Sequence, residues 1–351
     1  MNNKNIRARL EQLNNESPVL PINDETRLVI FSDFHMGNGS LRDDFLNNAQ
    51  MMETVLKDYY YAREYTLILN GDIEELHRFS YEKISQHWHS LYRLWQQFLV
   101  RDALYKIFGN HDYALANSLK SYGNIPIYES VKLVHPSGSL LVFHGHQAGR
   151  WIKLWHTFTS TVLRYIATPL RIKNYFVAHD SKKRYRVERR AYDFARDNRM
   201  ISIIGHTHRP LFESLSKKDT LKFKIEELCR KYPRMDEETQ LTLAKRIQKY
   251  KTELKSLVEK KEKDRDTLYH SDPLVPCLFN SGCAVGKSGV TSIEIYQGDI
   301  QLVYWFDEKQ SRKYFNFNGY IPEQLPGTDY YRVVLNQEPL DYIFSRIKLL
   351  A

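Results

Sequence analysis

The chain has 351 residues, 42% of them hydrophobic and 26% charged, with a formal net charge of +9. That length fits one large domain with insertions or two domains, in the composition range of globular proteins. No apolar run reaches about 18 residues and residues 1–5 have no apolar core, so neither a membrane-spanning helix nor a secretory signal is expected.

Ile6, Leu10 and Leu13 share one face and predict a short helix over 4–14. Leu28–Phe31 reads as a buried strand. Phe45, Met52, Val55, Leu56 and Tyr59 predict the inner stripe of a helix over 43–63, and a strand at 66–69 then completes a β-α-β unit. An aromatic-rich helix over 82–100 precedes a weakly apolar strand at Tyr105–Phe108. Short antiparallel strands are expected at 125–134 and 139–143, turned at Pro136-Ser137-Gly138.

Trp151, Trp155, Phe158, Val162 and Ile166 then mark one face of a helix that stops before Pro169. The basic run Lys182-Lys183-Arg184-Tyr185-Arg186 follows, and Ile201–Ile204 is the next strand. Residues 216–266 predict a helical hairpin, with Asp219 and Asp236 as caps and Pro233 between the helices. Leu243, Ile247, Tyr250, Leu254 and Leu257 form a coiled-coil-like seam on a helix of about 28 residues, roughly 42 Å long. That seam either pairs the hairpin's own helices or docks a second copy, as a homodimer, or a partner protein. Pro276–Asn280, Val290–Tyr296 and Ile300–Phe306 read as antiparallel strands, and residues 311–351 as a tail packed on the body. The fold class is therefore α/β: a sandwich of two mixed sheets flanked by helices, with a helical cap and a helical hairpin inserted.

Five polar motifs follow the buried strands in fixed order. They are Asp33-Phe34-His35, Gly71-Asp72-Ile73-Glu74-Glu75, Gly109-Asn110-His111-Asp112, His144-Gly145-His146 and Gly205-His206-Thr207-His208. A residue just past a buried strand lies at its carboxyl edge, where open α/β sheets bind ligands. Imidazole, carboxylate and amide oxygens suit divalent zinc, iron or manganese. A pair of such ions needs a bridging carboxylate, for which Asp72 is the candidate.

This order of motifs resembles the calcineurin-like metallophosphoesterase superfamily. The likeness spans residues 33–208 and extends through Asn280-Ser281-Gly282 to about 306. It implies a metallophosphoesterase domain over 27–310 that binds two divalent ions, manganese first, with iron or zinc as alternatives. By resemblance Asp33, His35 and His208 hold one ion, Asn110, His144 and His206 the other, and Asp72 bridges them. His111 is implied as the general acid and Asp112 as the group that orients it. Glu75 stands where the family more often has Asp, usually outside the ligand set. His146 is a further ligand, a partner of the ligands or an outward loop residue.

Charge is unevenly placed. Residues 147–200 hold 13 Lys and Arg against 4 Asp and Glu, and residues 216–266 hold 16 against 11. The basic insert over 147–200 is read as a cap, with Arg150 and Lys153 as candidate substrate contacts. Its apolar stripe either packs on the body or accepts an amphipathic phosphate ester, with peripheral membrane contact. Its position and content resemble relatives of the bacterial UDP-2,3-diacylglucosamine hydrolases, although that subgroup often has Arg at the position of His111.

The resemblance implies a dimetal hydrolase in which a metal-bound hydroxide attacks a phosphoester or pyrophosphate. The substrate expected is an anionic small molecule or lipid headgroup. Protein phosphatase and nuclease chemistry stay open within the family. No nucleic-acid partner is expected, because the basic charge lies in one insert and not along an aromatic-lined groove. A non-catalytic scaffold binding through the hairpin is the competing class, but such a scaffold should lose ligands, and here every position is filled. Cys229, Cys277 and Cys283 are odd in number and scattered, which predicts reduced thiols and a cytoplasmic location.

Overall fold

The computed structural model describes residues 3–117, 125–149, 181–215, 217–259, 274–311 and 320–351. Within them the chain runs α1 (Asn3–Glu16), β1 (Val19–Pro21), β2 (Arg27–Phe31), α2 (Leu46–Thr54), β3 (Thr66–Asn70), α3 (Tyr81–His87), α4 (His89–Val100), β4 (Leu104–Ile107), β5 (Ile127–Tyr128), β6 (Ser130–His135) and β7 (Gly138–Phe143). It continues through α5 (Ser181–Asp197), β8 (Ile201–Ile204), α6 (Lys217–Lys231), α7 (Glu237–Glu259), β9 (Leu278–Asn280), β10 (Val290–Tyr296), β11 (Asp299–Asp307), β12 (Glu323–Gln324), β13 (Tyr330–Pro339) and α8 (Leu340–Leu350).

Two mixed sheets result, ordered β1-β6-β7-β8-β9 and β12-β13-β11-β10-β2-β3-β4-β5. Strands β2 to β5 are parallel, and β10 to β13 add antiparallel partners on one side. Side chains alternate along a strand, so β2 sends Leu28 and Ile30 into the core between the sheets. Val29 and Phe31 go to the outer face, where they meet Met52, Trp95 and Phe98 of the helical layer. Burial on both faces explains why the parallel strands read as unbroken apolar runs.

Several elements differ from the sequence expectation. The helix predicted over 43–63 begins at Leu46 and widens into a π-helical segment over Val55–Tyr61. The wider turn shifts the phase of the stripe. Tyr60, not Tyr59, becomes fully buried and donates its hydroxyl to Glu294 at 2.6 Å. The helix predicted over 82–100 breaks at Trp88, whose indole N–H donates to the Gly37 carbonyl at 2.9 Å.

In the hairpin, Leu243, Ile247, Tyr250 and Leu254 of α7 pack against Leu221, Ile225 and Leu228 of α6. The seam pairs the hairpin's own helices. Asp236 caps α7, accepting from the Thr239 N–H at 2.9 Å, and Asp219 falls within the span of α6. Helix α7 is described over Glu237–Glu259, 23 residues. The Trp151-to-Ile166 stripe, Arg150, Lys153 and the charge run at 260–266 lie outside the described residues.

The last segment is part of the large sheet. Strand β13 pairs with β11 from Asp299↔Pro339 to Asp307↔Tyr330. Its Arg332 is buried and meets Glu294 at 2.7 Å and Gln301 at 2.9 Å.

Candidate metal centre

Strands β2, β3, β4, β7 and β8 each end just before a motif. Strand β2 delivers Asp33 and His35, β3 delivers Asp72, and β4 delivers Asn110 and His111. From the other sheet, β7 delivers His144, and β8 delivers His206 and His208. The turns are tight enough to force non-glycine residues into the left-handed region. Asp33, His35, Asp72, His206 and His208 have φ of 56°, 49°, 53°, 63° and 53°. Such strain collects at functional sites because the surroundings must over-determine it. Hydrogen bonds do this here: Asp33 N–H donates to Gly71 O at 3.0 Å and His35 N–H to Asp72 O at 2.9 Å. Glycine also makes room. A Cβ on Gly71 would lie 2.5 Å from His144 Nδ1, and one on Gly109 would overlap the Asp72 carboxylate.

The donor atoms converge in two groups at the strand ends, Asp33 with His35 and His208, and Asp72 with His144 and His206, and a third group, His35 with Glu75 and His111, adjoins them. His35 Nε2 lies 3.1 Å from His208 Nε2, and His208 Nε2 lies 3.1 Å from Asp33 Oδ1. Asp72 Oδ2 lies 3.1 Å from His144 Nε2 and 4.0 Å from His35 Nε2, so it stands between the groups. Its other oxygen accepts from the His111 N–H at 2.8 Å. Asp33 Oδ1, Asn110 Oδ1 and His144 Nε2 are buried and make no aligned hydrogen bond among the described residues. Asp33 Oδ1 and His144 Nε2 each have a charged neighbour at 3.1 Å, His208 and Asp72, in poor hydrogen-bond alignment, and a buried set of this kind fits divalent ions.

Ring orientation agrees. His144 Nδ1 sits 2.8 Å from the Asn70 carbonyl, which can only accept, so Nδ1 carries a proton and Nε2 is the atom turned to the centre. His35 Nδ1 meets Glu75 Oε2 at 3.1 Å and likewise turns Nε2 inward.

The profile of the calcineurin-like phosphoesterase family matches residues 26–210, just over half of the chain. The chain belongs to that family. Among solved structures, a Vps29 single mutant from Entamoeba histolytica aligns over 80% of this chain and 92% of its own, at 12% identity and a TM-score of 0.31. A dimetal phosphatase from Danio rerio aligns over 79% of this chain and 95% of its own, at 11% identity and a TM-score of 0.34. Comparison with curated proteins finds no significant match.

In this calcineurin-like phosphoesterase, His111 and Asp112 differ from the expected pairing. The Asp112 carboxylate turns back into its own loop, accepting from the Gly109 and Ile73 N–H groups. The carboxylate at His111 Nδ1 is that of Glu75, 2.9 Å away. Glu75 therefore spans His35 and His111 with its two oxygens. The signal for this was present in the motif: a Glu has one methylene more than the commoner Asp. His146 is not an outward residue. It is buried, with its ring 5.5 Å from that of His144 and 6.5 Å from that of His206, and it belongs to neither donor group.

Electrostatics follow from crowding. Burial alone would raise the Asp72 carboxyl, but His144 and then His111 hold it well below the usual carboxylate range. Burial would lower His111, but Glu75 and then Asp72 push it up to about 9. Burial and then the neighbouring His144 push His206 down to about 3. Burial, followed by Asp72 and Glu74, lifts Asp112 to about 7.

Proposed function

We propose that this protein is a dimetal hydrolase cleaving a phosphoester or pyrophosphate bond in an anionic small molecule or lipid headgroup. The observation that carries the reading is the convergence of Asp33, His35 and His208, and of Asp72, His144 and His206, from four strand ends of two sheets. Asp33, His35 and His208 would hold one ion, and Asn110, His144 and His206 the other, with Asp72 shared. Two divalent ions there would supply an activated water and neutralise charge on the phosphoryl oxygens.

The chain's own residues supply the rest. Glu75 holds Nδ1 of His111, which leaves Nε2 as the atom that hands a proton to the departing oxygen. In the metal-free chain Glu75, followed by Asp72, outweighs burial and raises His111 to about 9, so the Glu75 carboxylate favours the protonated ring. After transfer, the ring stays neutral with its remaining proton on Nδ1, against Glu75. Asp112 fixes the Gly109 and Ile73 amides and so the loops that carry Asn110 and Asp72.

Manganese as the native metal, a cytoplasmic location, and Arg150 and Lys153 as substrate contacts belong to this proposal. So does a kinship with the UDP-2,3-diacylglucosamine hydrolases, which the basic segment over 147–200 supports. The test is hydrolysis by the manganese-loaded protein of bis-p-nitrophenyl phosphate, p-nitrophenyl phosphate and nucleotide-sugar pyrophosphates, with Asp72→Ala as control. Turnover of at least one substrate by the parent and none by the variant is expected. Equal rates in both would overturn the reading.

A further inference from the structure

Helix α5 carries a carboxylate that the chemistry above does not use. Glu188 is fully buried. Its Oε1 accepts from the Thr207 hydroxyl at 2.8 Å and from Arg209 Nε at 3.2 Å. Its Oε2 pairs with the Arg209 guanidinium. Thr207 lies between His206 and His208, and Arg209 follows them. Two residues further along α5, Arg190 Nη1 donates to the Ala148 carbonyl at 3.0 Å, in the turn that follows His144. One helix thus grips both loops that bring ligands from the smaller sheet.

The proton inventory makes the grip directional. A hydroxyl has one donor. The Asn280 amide nitrogen already donates to Thr207 Oγ1 at 2.9 Å and to the Gly205 carbonyl at 3.1 Å. The Thr207 proton is thereby turned to Glu188, which as a carboxylate only accepts. His206 and His208 both have left-handed φ, a conformation that holds only where the surroundings fix it.

We propose that Glu188 is a positioning residue for the metal site. Through Thr207 and Arg209 it holds His206 and His208 facing Asp33 and Asp72. The proposal rests on the metal-site reading above, and its test reads metal affinity, not hydrolysis. Glu188→Gln keeps the volume but brings an amide N–H₂ against Arg209 or Thr207. Thr207→Val removes the hydroxyl at constant shape, and Thr207→Ser restores it.

The experiment is calorimetric titration of Mn²⁺ into the metal-stripped full chain, with the melting temperature of the same metal-free samples. Glu188→Gln and Thr207→Val should each weaken Mn²⁺ binding by about 10-fold, the low end for groups behind ligands. Thr207→Ser should stay close to the parent. The double variant Glu188→Gln/Thr207→Val should be no weaker than the worse single one, because the two act as one unit. Metal-free melting temperatures that fall while Mn²⁺ affinity is unchanged would overturn the proposal, leaving a structural ion pair. If Glu188→Gln does not fold, Thr207→Val against Thr207→Ser decides by the same criterion. A parent protein that binds no Mn²⁺ would overturn the metal-site reading itself, and the clamp with it.

Discussion

One carboxylate, that of Glu75, holds two imidazoles through the same ring nitrogen: His111 Nδ1 at 2.9 Å and His35 Nδ1 at 3.1 Å. His35 is a proposed ligand and His111 a proposed acid, so Glu75 links ion holding to proton delivery. The two rings meet edge to face, with centroids 4.7 Å apart.

His111→Asn keeps all seven donor residues, so metal content should be unchanged. Loss of a general acid costs about 10²–10⁴ in rate. The loss should be large for alkyl esters and small for nitrophenyl esters, whose leaving groups need no proton. Equal losses on both would show that His111 acts on the phosphoryl charge instead.

Glu75→Gln should do what His111→Asn does not and weaken metal binding as well, by roughly 10–100-fold. Metal analysis after dialysis separates the two variants. Full metal retention in Glu75→Gln would mean that the His35 orientation does not depend on this carboxylate.

Asp72→Ala should lower the metal stoichiometry at both positions, because Asp72 Oδ2 stands near both His144 and His35. Loss of one equivalent only, with the second bound at parental affinity, would argue against a shared carboxylate.

The metal-free protein should show a pH signature. His111 is raised to about 9 in the fold, against about 6.5 when unfolded. A raised pKa adds stability that is fully present below the unfolded value and lost as pH rises through the folded one. The stability gap between parent and His111→Asn should therefore shrink between about pH 6.5 and 9. Denaturant melts at several pH values check this, and a gap that is flat or widens would refute the Glu75–His111 ion pair.

Arg332→Met should destabilise the fold by roughly 3–5 kcal/mol, since it leaves the buried Glu294 without its charge partner. Chemical denaturation measures this. A change below about 1 kcal/mol would place the pair among the weakly contributing ones.

The convergence of Asp33, His35, Asp72, His144, His206 and His208 could be read in the sequence because each sits one to four residues past a run such as Leu67–Leu69 or Ile201–Ile204. The partner of His111 could not be read. Asp112 is its neighbour in sequence, but side-chain direction at a tight loop is set by which amides need an acceptor, and Gly109 and Ile73 claim it. Glu188 was invisible for a related reason. Its partners Thr207 and Arg209 lie about twenty residues away on another element, and no local pattern marks a buried Glu on a basic helix. Strand and helix ends were close, but the π-helical turn at Val55–Tyr61 moved the inward position by one residue, from Tyr59 to Tyr60.

The positive φ values at Asp33, His35, Asp72, His206 and His208 carry a consequence for evolution in the laboratory. At each position glycine would relax the turn while deleting a donor, and in metal-free medium it would also relieve crowded buried charge. Selection for thermal resistance alone, under chelation, should enrich glycine at these five sites. The surviving variants would be sturdier and inert. A library grown with metal present should keep the parental residues there, and sequencing both pools would make the opposition between durability and chemistry directly countable.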